Sequence, residues 1–210
     1  MRICVYCASS SQSHPEYRES ARRLGGVLAQ AGCTIVYGGG TAGSMGALAD
    51  GALAQGGAVV GILPRFMADL EWGHPGLTTL HVVEDMRERK HRLLADSDAV
   101  IALPGGCGTL EELMEAITLK RLGLYFKPIV LVNTRGFYAP LQGFLRDMID
   151  ERFMNPEHAR MWSLVESPED VLPAIQAAPQ WDPAARSFAV VRDPAARSFA
   201  VVRDPAAPTG

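Results

Sequence analysis

The sequence lacks the features of a membrane protein, a secreted protein or a nucleic-acid-binding protein. No apolar run approaches the roughly 20 residues of a membrane span, and the N-terminus, MRICVYCASS, is too short and too strand-like for a signal peptide. The net charge of -3 gives no reason to expect a nucleic acid or an anionic membrane as partner. We therefore expect a cytoplasmic protein with neither partner.

Cysteine is scarce, with four in 210 residues. Cys4 and Cys7 form a C-x-x-C pattern inside a predicted strand, where side chains three apart point to opposite faces. Buried reduced thiols are thus favoured over a shared metal or a disulfide. Cys33 and Cys107 have no Cys or His partner at metal spacing, so no metal site is predicted.

Strands and helices alternate along the chain, and the strands are continuously apolar. Such strands are buried on both faces, which predicts an α/β fold: a single domain with a Rossmann-like, doubly wound parallel sheet and helices on both faces. The predicted strands are 2–8, 33–40, 58–64, 78–83, 98–106, 127–133 and one near 162–166. The predicted helices are 15–32, 44–57, 84–97, one after residue 106, 136–151 and one that begins at 167–171.

The C-terminal part is a tandem repeat. DPAARSFAVVR occurs at 182–192 and again, unchanged, at 193–203. Two copies are too few for a solenoid, and their Pro and Ala content is typical of a mobile tail. We therefore expect a nucleotide-monophosphate-binding domain over 1–180 and a disordered tail over 181–210. Pairing of SFAVV with a sheet edge is the alternative.

Two strand-to-helix loops are rich in glycine: GGGTAGSMG (38–46) and PGGCGT (104–109). Glycine lets a backbone approach a ligand closely, and a helix N-terminus offers free N–H groups and a positive dipole end. With the hydroxyls of Thr41 and Thr109, the two loops predict a phosphate site. Tight turns and close helix packing are the alternative. No G-K-[ST] follows either loop, and the strand at 58–64 ends in Pro64 instead of a ribose-binding acid, which argues against a dinucleotide.

Three acids open the helix after the second loop. The helix dipole favours acids there, which explains Glu111. Glu112 and Glu115 lie three apart and so share a helix face. Carboxylates beside a sugar phosphate are useful where a breaking glycosidic bond leaves positive charge on the sugar.

The basic segment MRERKHR (86–92) precedes the second loop. Arg89 and Arg92 share a face, and a solvated charged surface is the simplest explanation. Because this helix leads into the strand that ends at the second loop, the residues alone predict that most of it lies away from the site.

Taken together, PGGCGTLEE, MRERK and VYGGGTAGSMG resemble the LONELY GUY family of cytokinin riboside 5′-monophosphate phosphoribohydrolases, which has the older name "possible lysine decarboxylase". The similarity extends from about residue 3 to residue 175. It implies a homodimer or a larger homo-oligomer without a cofactor. It also implies hydrolysis of purine nucleoside 5′-monophosphates to free base and ribose 5-phosphate.

The resemblance also implies site residues. Arg89 and Glu112 match the catalytic pair. The resemblance implies that Arg89 and Lys90 both reach the site in spite of the helix's position. The positions that match nucleotide contacts are Gly39, Gly40, Thr41, Gly43, Gly46, Glu71, Lys90, Gly105, Gly106, Gly108, Thr109, Leu110, Glu111, Glu115 and Thr118.

Two other functions stay open. A nucleotide or molybdenum-cofactor carrier of the same fold would have no need of the Arg89/Glu112 pair. A pyridoxal-phosphate decarboxylase would need a Schiff-base lysine, and the three lysines, Lys90, Lys120 and Lys127, lie in no recognisable cofactor context. The sequence does not decide between adenine and a prenylated adenine as the base.

Overall fold

Seven parallel strands form one sheet in the computed structural model, which describes residues 1–70 and 72–191. Their order across the sheet is β4-β3-β2-β1-β5-β6-β7. The strands are β1 (Arg2–Tyr6), β2 (Thr34–Tyr37), β3 (Val59–Pro64), β4 (Thr79–Val83), β5 (Ala99–Ala102), β6 (Ile129–Val132) and β7 (Ser163–Val165). Each pairs in parallel with its neighbour, as the continuously apolar strands predict.

Helices connect these strands. They are α1 (Pro15–Gln30), α2 (Gly43–Leu53), α3 (Arg65–Ala68), α4 (Met86–Leu94), α5 (Cys107–Arg121), α6 (Ala139–Asp150) and α7 (Val171–Ala177). Short 3-10 helices lie at Thr134–Gly136, Pro156–Arg160, Pro168–Asp170 and Ala185–Ser187. The sequence pattern did not predict α3, because a four-residue helix is too short to show a period. No helix in the described ranges has the length and apolarity to cross a membrane.

The core lies on both faces of the sheet. One face buries side chains of α1, α2 and α7, and the other buries side chains of α4, α5 and α6. Cys4 packs on the second face and Cys7 on the first, and both thiols are free, as their spacing in β1 predicts. The predicted doubly wound α/β fold is confirmed.

The chain reverses direction across the sheet between β1 and β5. From β1 it runs outward through β2 and β3 to the edge strand β4, and it then returns to place β5 against β1. Loops on the two sides of such a switch point diverge, which leaves a crevice at the carboxyl ends of the strands. The loops after β1, β2 and β5 therefore face one another.

Trp181 and the start of the repeat pack against the domain. The Trp181 ring is buried, and its Nε1 donates a hydrogen bond to the Lys120 carbonyl at 2.7 Å. Ala185 is buried, and Phe188 packs on Trp181 with ring centroids 6.0 Å apart. This differs from the expectation of a tail that begins at residue 181, because an apolar surface of α5 was available to cover. The remainder of the expected tail, residues 192–210, lies outside the described residues.

Candidate active site

A cavity of about 630 Å³ opens at the switch point. Its walls come from the loops after β1, β2 and β5 and from parts of α2, α3, α4 and α5. The lining residues are Cys7, Ala8, Ser9, Ser10, Gly38, Gly40, Thr41, Ala42, Met45, Leu63, Met67, Trp72, Met86, Arg89, Gly106, Gly108, Thr109 and Glu112.

The loop after β2 needs its glycines for conformation and packing. Gly39 and Gly43 have φ of +78° and +61°, values that L side chains rarely adopt. A Cβ at Gly46 would lie 1.9 Å from the Thr41 carbonyl oxygen, so only glycine lets the loop close against the first turn of α2. The packing explanation thus holds for these three positions, while Gly40 and Thr41 line the cavity.

The glycines of the loop after β5 have two different roles. A Cβ at Gly105 would clash with Thr109 Oγ1 at 2.1 Å. A Cβ at Gly106 or Gly108 would meet no heavy atom of the described chain within 4 Å, and both positions line the cavity. Packing therefore does not explain these two, and their missing side chains leave the N-terminus of α5 open to a ligand.

The N-termini of α2 and α5 both border the cavity. Ala42 and Gly106 are their N-cap residues, and neither provides a side-chain cap hydrogen bond. The free N–H groups and dipoles of the two helices make this the most favourable place in the cavity for an anion. Thr109, buried at the start of α5, adds a hydroxyl.

Arg89 projects into the cavity from the first turns of α4. Its Nε donates to the Ile62 carbonyl at 3.2 Å and its Nη2 to the Gly38 carbonyl at 3.4 Å. The residues alone predicted that most of this helix lies away from the site, and its first turns are the part that reaches the cavity. A helix that follows a parallel strand begins at that strand's carboxyl end, the same edge that carries the loops.

Glu112 faces Arg89 from the second turn of α5. Its Oε1 lies 3.7 Å from Arg89 Nη1, and both side chains are less than 10% exposed, at 9% and 8%. Burial raises the pKa of the Glu112 carboxyl from 4.5 to about 7, and the Arg89 guanidinium offsets only part of that rise. A perturbed carboxyl in a cavity is a candidate catalytic group.

Lys90, Glu111 and Glu115 lie outside this cavity. Lys90 Nζ is 2.5 Å from Glu111 Oε1 and 3.3 Å from Glu115 Oε2, on the outer side of α4 and α5. The two carboxylates hold the pKa of the Lys90 ammonium above its usual value. Glu115 therefore does not join Glu112 beside the cavity, although the two are three residues apart.

The structure brings some of the predicted site residues together and leaves others apart. The cavity is lined by Gly40, Thr41, Arg89, Gly106, Gly108, Thr109 and Glu112. Outside its walls are Gly39, Gly43, Gly46, Gly105, Lys90, Leu110, Glu111, Glu115 and Thr118. Glu71 lies outside the described residues.

Two parts of the cavity were not predicted from the sequence. Ser9 and Ser10 follow β1, the central strand, and their polar run directly after a buried strand was an available signal. The apolar wall gave no signal, because its members come from five different elements of the chain. They are Met45, Leu63, Met67, Trp72 and Met86. Within the described ranges, no group of three or more His, Cys, Asp or Glu could hold a metal ion.

Comparison with known proteins assigns a family. The family described as "Possible lysine decarboxylase" matches residues 45–175. The chain is 41% identical over 160 residues to the cytokinin riboside 5′-monophosphate phosphoribohydrolase LOG7 of Arabidopsis thaliana, covering 76% of this chain and 74% of the relative. It is 43% identical over 155 residues to the cytokinin riboside 5′-monophosphate phosphoribohydrolase of Rhodococcoides fascians, covering 73% and 78%.

A solved structure shares the fold. The molybdenum cofactor binding protein of Rippkaea orientalis superposes with a TM-score of 0.66 at 24% identity, over 84% of this chain and 95% of that one. At this identity the likeness supports the fold alone.

Proposed function

Because the chain belongs to the possible lysine decarboxylase family, together with the cytokinin riboside 5′-monophosphate phosphoribohydrolases that it resembles, we propose that it is an N-glycosidase. Its substrates are purine nucleoside 5′-monophosphates, namely cytokinin riboside 5′-monophosphate, AMP or both. Water cleaves the bond between the base nitrogen and C1′ of the ribose. The products are the free base and ribose 5-phosphate, and neither a metal nor a cofactor takes part.

The observation that carries this proposal is the buried Glu112 carboxyl beside Arg89, next to the open N-terminus of α5. A site that only bound a phosphate would be weakened by a carboxylate there. Departure of the base, however, leaves positive charge on the ribose ring, and a fixed carboxylate stabilises that charge far more in the transition state than in the ground state.

Each element of the cavity has a role in this reaction. The N–H groups that open α2 and α5 hold the 5′-phosphate. The ionised Glu112 carboxylate faces C1′ and orients the attacking water, whose proton it accepts as the new C–O bond forms. Arg89, fixed by two carbonyls, assists departure of the base. The released nitrogen takes up a proton from solvent, and Glu112 returns the proton of the attacking water to solvent.

The literal decarboxylase activity is not supported by the lysines. Lys90 binds Glu111 and Glu115, and Lys120 is buried with its Nζ on the Lys127 carbonyl at 2.7 Å. None of the three lysines lines the cavity, so no amine is available there for a Schiff base. A carrier function remains the alternative, but a carrier would have no need of the Arg89/Glu112 pair that the cavity contains.

The test is chromatography after incubation with AMP, GMP, CMP, isopentenyl-AMP and adenosine. We expect free base from the purine monophosphates and hardly any from adenosine, because the two glycine loops bind the phosphate. Equal rates on AMP and adenosine would contradict the phosphate site. Binding of AMP without release of adenine would favour the carrier.

A homo-oligomer is part of this proposal. The edge strand β4 exposes Leu80 and Val82, and the segment after α5 exposes Leu124 and Phe126, which supports burial of these side chains against a second copy. Light scattering should therefore give at least twice the monomer mass. The four free thiols support a reducing compartment, the cytoplasm. No nucleic-acid or membrane partner is proposed.

A further inference from the structure

One aromatic ring on the cavity wall has no role in the proposed bond cleavage. Trp72 lines the cavity, yet its side chain is 51% exposed. It belongs to the apolar wall with Leu63, Met67 and Met86. Of the two polar groups, Glu112 lies on α5, and Arg89 lies one turn beyond Met86 on α4. A large exposed aromatic ring on an apolar wall is suited to stacking on a flat ligand group.

The backbone holds Trp72 beside the loop after β2. The Trp72 carbonyl accepts from the Thr41 N–H at 3.2 Å, and the Trp72 N–H donates to the Met67 carbonyl at 3.3 Å. Gly73 and Gly40 form an antiparallel bridge. Trp72 is therefore attached directly to one of the loops expected to bind phosphate, so its position is coupled to that loop.

His74 fastens the same segment to α2. The His74 N–H donates to the Gly39 carbonyl at 2.9 Å. The ring Nδ1 accepts from the Gly76 N–H at 3.1 Å, which leaves the proton on Nε2, and Nε2 donates to Asp50 Oδ1 at 3.1 Å. The His74 side chain is only 10% exposed, so the ring is held in one orientation.

We propose that Trp72 stacks on the base of the bound nucleotide and that His74 is a positioning residue that holds Trp72 through Asp50. This inference rests on the proposed function, since it assigns the base end of the same site. Stacking recognises any aromatic base face and makes no contact with ribose 5-phosphate.

The first experiment compares Trp72→Ala, Trp72→Phe and the control Leu70→Ala. Leu70 is 56% exposed on the same segment and is not a lining residue. Loss of one base stack weakens binding on the order of ten- to a hundredfold. We expect Trp72→Ala to raise KM for AMP by that factor with little change in kcat and no change in inhibition by ribose 5-phosphate. Trp72→Phe should restore most of the affinity, and Leu70→Ala should resemble the unmodified protein.

Equal weakening of AMP and ribose 5-phosphate would overturn the assignment, because it would show a general loss of the cavity. So would an unchanged KM accompanied by a change in oligomeric mass, which would place Trp72 in a subunit interface.

The second experiment measures tryptophan fluorescence during titration of Glu112→Gln with AMP, adenine and ribose 5-phosphate. AMP should change the emission, ribose 5-phosphate should not, and Trp72→Phe in the same background should remove the response. Absence of turnover with any nucleotide, together with a Trp72-dependent response to AMP, would refute the hydrolase and leave the base contact standing. Turnover without such a response would refute the base contact alone.

His74 is tested by a double-mutant cycle. His74→Ala should raise KM for AMP when Trp72 is present and have no further effect in the Trp72→Ala background, because its effect passes through Trp72. Additive effects on KM would overturn the positioning role.

Discussion

Two neighbouring ion pairs join α4 to α5, an inner pair (Arg89 and Glu112) and an outer pair (Lys90 and Glu111). They differ in burial and in the distance between the charged atoms. Arg89 and Glu112 meet inside the cavity at 3.7 Å, almost fully buried. Lys90 and Glu111, their immediate neighbours in sequence, meet outside it at 2.5 Å, with side chains 23% and 54% exposed. The closer contact is thus the solvent-exposed one.

The reason is the use of the arginine's hydrogen bonds. The Arg89 guanidinium donates hydrogen bonds from Nε and Nη2 to the carbonyls of Ile62 and Gly38, so these N–H groups are not available to Glu112. The Glu112 carboxyl is left desolvated and incompletely compensated, which is why burial dominates its pKa. A reactive carboxylate must be available to a ligand, whereas a surface pair has no such requirement.

The largest difference should appear when each acid loses its charge. Glu112→Gln keeps the side-chain shape and should lower kcat at least about a hundredfold, the scale of losing one general base or charge-stabilising group. Nucleotide affinity should change little. Glu111→Gln, the matched change on the outer pair, should leave kcat within about twofold. Steady-state assays with AMP measure both.

Glu115→Gln serves as a second control. Were it to abolish turnover while Glu112→Gln remained active, α5 would present a different face and the comparison of inner and outer pairs would be wrong.

A conservative substitution of each cation tests the difference between the inner and the outer pair further. Arg89→Lys keeps the charge but cannot reproduce the planar fork that bridges two carbonyls, so kcat/KM should fall on the order of ten- to a hundredfold. Lys90→Arg should have a small effect, because a partly exposed cation between two acids outside the cavity tolerates either head group. A large rise in KM for Lys90→Arg would instead indicate that Lys90 contacts a nucleotide.

The inner pair should also cause kcat/KM to decline at acidic pH. With the Glu112 pKa raised to about 7, the reactive carboxylate is lost as pH falls below that value. We expect kcat/KM to drop about tenfold per pH unit on that side. The profile of Glu111→Gln should keep this decline, and the residual activity of Glu112→Gln should lack it. A decline near pH 4.5 in the unmodified protein would refute the link to Glu112.

The raised pKa of Glu112 also predicts that the free energy of unfolding depends on pH. Between pH 4.5 and about 7 the folded state binds more protons at Glu112 than the unfolded state, so this group's contribution to the free energy of unfolding falls as pH rises. Glu112→Gln should therefore gain stability relative to the unmodified protein from pH 5 to pH 8, by no more than about 3 kcal/mol. Urea unfolding at several pH values measures the difference, and a constant difference would contradict it.

The smallest effect should come from breaking the outer pair. Glu111→Gln should cost a few tenths of a kcal/mol to about 1 kcal/mol at low salt, as exposed pairs do. Because salt screens exposed charges, this cost should shrink towards zero at about 1 M NaCl. Urea unfolding at two salt concentrations checks it, and a salt-independent loss would mean that the pair is less solvated than its exposure indicates.

Much of the fold could be predicted from the sequence, because its elements depend on local pattern. Continuous apolar runs predicted β1 and β3, and the period of residues 15–32 predicted α1. Predicted helix ends differ from the observed ones by up to several residues, because capping and packing decide where a helix begins and ends. The short α3 and the packing of Trp181 escaped prediction, because neither leaves a periodic signal.

The sequence by itself determined that two glycine-rich loops precede helices at the carboxyl edge of a parallel sheet. This was possible because glycine content and strand-helix order are local properties of the sequence. Only the tertiary structure decided which charges enter the cavity. Helical spacing relates Glu112 to Glu115 and Arg89 to Arg92, but it does not fix how a helix is rotated about its axis. Packing of α4 and α5 on the same face of the sheet set that rotation, turned Arg89 and Glu112 inward, and left Lys90 and Glu111 to meet in solvent.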